Sequence, residues 1–316
     1  MLKSFALACV IVALGGASAF AQSFDEAVAL YTDKNYKEAL GVAKPLAEGG
    51  DARAMAMLGT LYQNGQGVKK DVKAALKWLS AAGEKEHAGA QFQLAIIYLD
   101  GVAGKPDLKN AEKWMERAAG NGSVPAQHNM GLLAAGAGGG QPDWQRAMNW
   151  FRKAADQGFS EAQYNLAVLY AEGKGVEKDP VKAGEYFLKA AMQGMADAAL
   201  EYGVMVFRGD GVEKSEEIGA QWLLVAAQRG NVIAQNRVAR ILAAGRGLKA
   251  DSIEAAKWHI LAAKAGRADN WLDEFVSKLS DKDRGEANKR AESWASLNAQ
   301  ENAAAASARA ASSSGG

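Results

Sequence analysis

The feature that most constrains this chain is a period of 36 residues. Gly65-Gln-Gly67-Val68 is followed by Asp71, Ala75 and Trp78, and the pattern returns each time 36 is added to the numbers. One column reads Trp78, Trp114, Trp150, Tyr186, Trp222 and Trp258. Another reads Asp71, Asp107, Asp143, Asp179, Ser215 and Asp251. Self-similarity at a fixed period of this size marks a stacked array, in which each unit buries its apolar face only against its neighbours.

Within each unit the apolar spacing is helical. Small residues stand three before the aromatic column (Ala75, Ala111, Ala147, Ala183, Gly219, Ala255) and four after it (Ala82, Ala118, Ala154, Ala190, Ala226, Ala262). Spacings of three and four share one helix face, so this is a second helix, B, whose ring packs among small neighbours. The Asp column falls at the start of B, where a carboxylate can accept an unsatisfied backbone N–H. Asp251-Ser-Ile-Glu254 reads as a capping box. A preceding helix, A, is expected near 52–64, 88–100, 124–136, 160–172, 196–208 and 232–244. Gly59, Gly131 and Gly203 alternate with Ala95, Ala167 and Ala239 along it. Glycine inside a helix costs about 1 kcal/mol relative to alanine, so its recurrence predicts close helix approach. The hairpin glycines, such as Gly65 and Gly67, supply positive φ for the A-to-B turn. Two hairpins depart from the rule: Gly101-Val-Ala-Gly104-Lys-Pro106, and Gly136-Ala-Gly138-Gly139-Gly140-Gln-Pro142. Neither follows a strand or carries the Gly-Lys-Ser/Thr of a phosphate loop.

The ends differ. Lys3, an apolar run from Phe5 to Leu14, and Ala19-Phe20-Ala21 read as a secretory leader over 1–21, too short to span a bilayer. The single cysteine, Cys9, lies inside it, so the mature chain is expected to lack disulfides and thiolate chemistry. Residues 22–50 read as a degenerate first repeat, with helices near 24–34 and 36–48. Six full repeats fill 51–266, and two capping helices follow over 267–297, the first with the stripe Trp271, Leu272, Phe275, Val276 and Leu279. The Ala/Ser/Gly tail over 298–316 has almost no apolar bulk and is expected to be disordered.

The unit from Ala162 to Gly194, A-Q-x-N-L-A-x-L-Y-x-x-G-x-G-V-x-x-D-x-x-x-A-x-x-Y-x-x-x-A-A-x-x-G, resembles the SEL-one-like repeat, a relative of the tetratricopeptide repeat. The resemblance covers about residues 36–266. It implies an all-α fold, a right-handed α-solenoid of antiparallel helix pairs with the A helices on the concave side. It also implies an adaptor or regulator role, and for bacterial members frequent export, here to the periplasm. Some cysteine-rich bacterial relatives are linked to β-lactam binding or hydrolysis; the lack of a mature cysteine separates this chain from them.

The formal charge is +1, and without the leader basic and acidic residues balance, which gives no field for nucleic acid or an anionic membrane. His87, His128 and His259 are the only histidines, none at metal-ligand spacing from another. No catalytic, cofactor or metal site is expected. The binding expectation rests on the A helices, whose back is apolar as well as their front. This gives Phe92, Gln93 and Ile96; His128, Asn129 and Leu132; Tyr164, Asn165 and Val168; and Leu200, Glu201, Val204 and Phe207 as a concave groove for a protein or peptide. The competing reading is that curvature buries this stripe between neighbouring A helices. Two other functions fit the same scaffold: a cell-wall or β-lactam-acting hydrolase, and a regulator of a membrane sensor's extracytoplasmic part.

Overall fold

The computed structural model describes residues 23–313 apart from residue 103, so the expected leader, 1–21, lies outside the described residues. Among those described there are sixteen helices and no strand. The first pair is α1 (Phe24–Thr32) and α2 (Tyr36–Glu48). The A helices of the six full units are α3 (Ala52–Asn64), α5 (Ala88–Asp100), α7 (Val124–Ala134), α9 (Ser160–Glu172), α11 (Ala196–Arg208) and α13 (Val232–Ala244). Their B partners are α4 (Val72–Glu84), α6 (Leu108–Gly120), α8 (Trp144–Asp156), α10 (Pro180–Met192), α12 (Glu216–Gln228) and α14 (Ser252–Lys264). The chain ends in α15 (Asn270–Ser277) and α16 (Asp281–Ser313). Up to α14 each helix packs mainly on the ones before and after it, and α16 then returns onto α14, which makes the fold an α-solenoid.

The repeated residues perform the local tasks their chemistry suggests. Each residue of the Asp column accepts a backbone N–H of the first B turn: Asp71 from Ala74, Asp107 from Asn110, Asp143 from Arg146, Asp179 from Lys182 and Ser215 from Ile218, at 2.9–3.2 Å. The same residue's own N–H returns to the end of the A helix, for example Asp71 to the Tyr62 carbonyl and Asp179 to that of Tyr170, both at 2.9 Å. One residue therefore terminates A and starts B. The Asp251 box is only half formed. Asp251 accepts from Ile253 and Glu254, but its N–H goes to Leu242, and the Glu254 carboxylate turns instead to Lys257 and Arg290.

Close approach explains the internal glycines. A Cβ on Gly131 would lie 2.5 Å from the ring of Phe151, and one on Gly59 2.5 Å from Leu79. The second hairpin glycine has a role beyond its turn. Gly67, Gly175, Gly211 and Gly247 have positive φ. A Cβ there would also strike the first turn of the preceding B helix, at Tyr36, Trp144, Pro180 and Glu216. The hairpin of one repeat is thus seated on the repeat before it. In the third unit a Cβ on Gly139 would meet nothing within 4 Å, so the Gly-rich hairpin has left that seat. The buried core divides at this unit, one part running up to Met130 and the other starting at Ala147.

Three details differ from the sequence reading. The aromatic column is not the deepest part of helix B. Trp114 and Trp258 are buried, but Trp78, Trp150, Tyr186 and Trp222 are half-exposed. The next position along, Leu79, Met115, Phe151, Phe187, Leu223 and His259, is buried in every unit. Cations cover the aromatic faces instead, including Lys153 4.3 Å from Trp150 and Lys189 4.8 Å from Tyr186. Helix α7 stops at Ala134, two residues short of the expected end, where the Gly-rich hairpin begins. Helix α16 continues to Ser313 through the stretch expected to be disordered from residue 298. Alanine has the highest intrinsic helix propensity, so lack of apolar bulk does not by itself break a helix. The two last helices close the array: Trp294 meets Trp258 at 5.6 Å, and Ala287 and Ala291 are buried.

The A-helix face and its cavities

Two sets of inter-repeat bonds identify the inner side. Successive A helices are bridged by short side chains, Thr60 to Gln93 at 3.2 Å and His128 to Asn165 at 3.0 Å. The last A helix meets the N-cap of α15 in the same way, Asn236 donating to Asp269 at 2.8 Å. The B helices α4 and α6 are bridged by a long Arg–Glu pair, Arg117 to Glu84 at 3.0 Å, and α16 joins the B helix α14 in the same way, Arg290 to Glu254 at 2.9 Å. Along the A side α1 also packs directly on α3 and α3 on α5, as expected of helices at the smaller radius.

Between them runs a buried ladder that the sequence reading overlooked. Gln91, Gln127, Gln163 and Gln235 each donate to a carbonyl near the end of the preceding B helix, those of Gly83, Ala119, Ala155 and Ala227, at 2.7–3.3 Å. Three of these amides accept in turn from Asn121, Gln157 and Gln193 of the following loop. The end carbonyls of a helix have no partner within it, and burial makes an empty one costly. Ala199 breaks the column, and there the Arg229 guanidinium takes the vacant Ala191 carbonyl at 3.2 Å. Recurrence of Gln at the 36-residue period was the available signal.

The expected groove residues lie on the A helices as read, but they are not equivalent. Leu200 is buried. Phe92, Gln93, Ile96, His128, Asn129, Leu132, Tyr164, Asn165, Val168, Glu201, Val204 and Phe207 are half-buried. Their apolar members pack partly on the core: His128 sits 5.8 Å from Phe151 and 5.2 Å from Phe159, and Tyr164 5.5 Å from Phe187. Burial pushes the His128 imidazole down and the Tyr164 hydroxyl up from their ordinary values. The stripe is therefore neither free surface nor sealed core.

Two cavities open on it, towards the C-terminal units. One, of about 700 Å³, is lined by Tyr164, Val168, Phe187, Glu201 and Met205, with Glu172, Lys178 and Asp210 at its edge. Burial raises the Glu201 carboxyl above the usual range, against the pull of Arg237. The other, of about 340 Å³, joins Val204 and Phe207 to Leu223 and Ile241 and to the cations Arg208, Arg237, Arg240 and Arg246, with Trp271 as a wall. Arg237, Ile241 and Trp271 were not among the expected groove residues. Trp271 belongs to the apolar stripe read for the first capping helix, yet of that stripe only Leu272 is fully buried. Trp271 instead stacks on Phe275 and carries Arg240 5.3 Å from its ring.

Among the described residues no group of three or more His, Cys, Asp or Glu is arranged to hold a metal ion, and no helix is long and apolar enough to cross a membrane.

Comparison with known proteins gives the same architecture. A family profile described as Sel1 repeat matches residues 52–87, 88–123, 124–159, 160–195, 196–231 and 232–266. No curated protein matches. Among solved structures, the chain is similar to c5321, described as a protective antigen present in uropathogenic Escherichia coli strains and displaying an SLR fold. The TM-score is 0.74 at 26% identity over 88% of this chain, which spans 62% of that protein's length. It is also similar to a Sel1 repeat protein from Oxalobacter formigenes, with TM-score 0.64 and 27% identity over 77% of this chain and 97% of the other.

Proposed function

The chain belongs to the Sel1 repeat family, whose repeats generally mediate protein–protein interaction, and from that premise we propose that it is an exported, non-catalytic scaffold of the cell envelope that holds a protein or peptide segment on its A-helix face. The observation that carries this reading is the half-buried apolar stripe on the inner side of the A helices, which leads into two open cavities between units four and six. Burial of apolar side chains there supplies affinity, and Gln93, Asn129, Asn165 and Glu201, on the same face, supply polar contacts to an extended backbone. The expected secretory leader supports the periplasm as its compartment.

The test pairs capture with folding. The protein immobilised in envelope extract is expected to retain a partner that the double variant Val168→Asp, Val204→Asp does not. Helical circular dichroism and the melting transition of that variant should stay close to the parent's. Loss of the fold together with the partner would assign the stripe to the core and end the groove reading.

A further inference from the structure

The smaller cavity carries a more specific conclusion, which rests on the scaffold reading above and names the chemistry of what is held. Four arginines line it, and they divide into two kinds. Arg240 is held by Asp269, with Nε and a terminal nitrogen both 2.7 Å from the carboxylate, and its guanidinium faces Trp271. Arg246 is paired with Glu216 and lies 5.2 Å from the Phe207 ring. These two are neutralised and form walls.

Arg208 and Arg237 are different. Neither makes an ion pair or a side-chain hydrogen bond among the described residues. The Arg237 Nε is buried without any partner. Burial first, and then the neighbouring charges of Arg208 and Arg267, push the Arg237 guanidinium below its ordinary value. Glu201 faces Arg237 and opposes that shift, but it makes no bond to it. The Arg237 side chain is half-buried, and a buried N–H donor without a partner is costly unless something fills it. Beside it lie the apolar side chains of Val204, Phe207, Ile241 and Trp271. A cavity of about 340 Å³ has room for one large side chain and a carboxylate.

We propose that this cavity is the seat of an acidic residue of a bound protein segment, its carboxylate bonded by Arg208 and Arg237 and a neighbouring large apolar side chain packed on Val204, Phe207 and Trp271. Charge complementarity selects the acidic residue, because two unpaired cations meet there. The A-helix face continues from this point into the larger cavity, whose lining holds Glu201, Asp210 and Lys178, with Glu172 already paired to Lys174.

Selection from a randomised peptide display library on the purified protein tests this. Enriched peptides are expected to share an Asp or Glu within a few residues of an aromatic or large aliphatic residue. Their affinity should fall about tenfold or more in the double variant Arg208→Gln, Arg237→Gln, the loss expected when charge-assisted bonds to a carboxylate are removed. Circular dichroism and melting report whether that variant folds; if it does not, Arg208→Gln alone, on an exposed side chain, is the variant used. Enriched peptides without an acidic residue, or acidic ones indifferent to the arginine variants, would overturn the assignment. If those peptides were still lost on Val168→Asp, the groove would stand and only its acidic seat would fall. No enrichment at all would overturn both readings.

Discussion

The glycine at position 219 offers a sharp test of how the repeats determine the cavity. The other five full units have alanine there: Ala75, Ala111, Ala147, Ala183 and Ala255. Repeat similarity alone would make Gly219→Ala a restoring change, worth up to about 1 kcal/mol from helix propensity. The packing argues the reverse. A Cβ on Gly219 would lie 2.5 Å from the Phe207 backbone nitrogen and 2.7 Å from its Cα. Those are backbone atoms, so no rotamer change relieves the contact, and α11 and α12 must separate by about 1 Å to reach normal van der Waals distance. Overpacking of this kind costs about 1–3 kcal/mol, which leaves a net loss of up to about 2 kcal/mol after the propensity gain. Gly41→Ala is the control, because Gly41 lies inside α2 and a Cβ there meets nothing within 4 Å. It should stabilise by about 0.5–1 kcal/mol. Thermal denaturation should show the melting transition falling by several °C for the first variant and rising by about 1–4 °C for the second. Hydrogen exchange should localise the loss to α11 and α12, whose Phe207 and Leu223 line the smaller cavity. A Gly219→Ala protein more stable than its parent would refute the claim that backbone contact, rather than repeat consensus, governs this position.

Further outcomes follow from other sites. Glu86 has φ of 64°, where later units carry a left-handed glycine such as Gly122 or Gly158; Glu86→Gly should stabilise by about 0.5–1 kcal/mol, read from denaturant midpoints. His87 caps α5 by accepting the Ala90 N–H on Nδ1 at 3.1 Å, and burial holds both His87 and His128 below the ordinary histidine value of 6.5. Their folded values are depressed, so the stability they contribute is fully present above pH 6.5. It falls as pH drops below that value, because the unfolded chain takes up protons first. A melting series from pH 8 to 5 should show the decline, and His87→Asn with His128→Gln should flatten it. Asp269 accepts from Arg240, Asn236 and the Leu272 N–H, and those bonds hold its carboxyl well below the usual range. Asp269→Ala should cost about 2–4 kcal/mol, with exchange protection lost first in α15 and at the end of α13; unchanged protection would show that the cap is held by apolar contacts alone. Purified protein should not turn over nitrocefin, and turnover above background would reopen the hydrolase reading.

The period alone determined the paired helices of the six full units, their order and the side-chain caps at the start of each B helix. Aspartate at a helix start and glycine in a positive-φ turn act through neighbours one to four residues away, and such local chemistry repeats wherever the letters repeat. It also located the A-helix face, because helical spacing assigns each residue to a side. Packing depth within that face depended on contacts between residues about a dozen or more apart, on different helices. Those contacts bury Leu200, leave Val204 and Phe207 half open, and put the column after Trp78 deeper than the tryptophan itself. The cavity with Arg237 was beyond the pattern for the same reason. Its walls come from α11, α12, α13 and α15, and the two arginines that stay unpaired differ from the two that do not only in whether a carboxylate from elsewhere in the fold reaches them. A repeating sequence specifies what the units share. The site arises where they differ, and only tertiary packing brings those differences together.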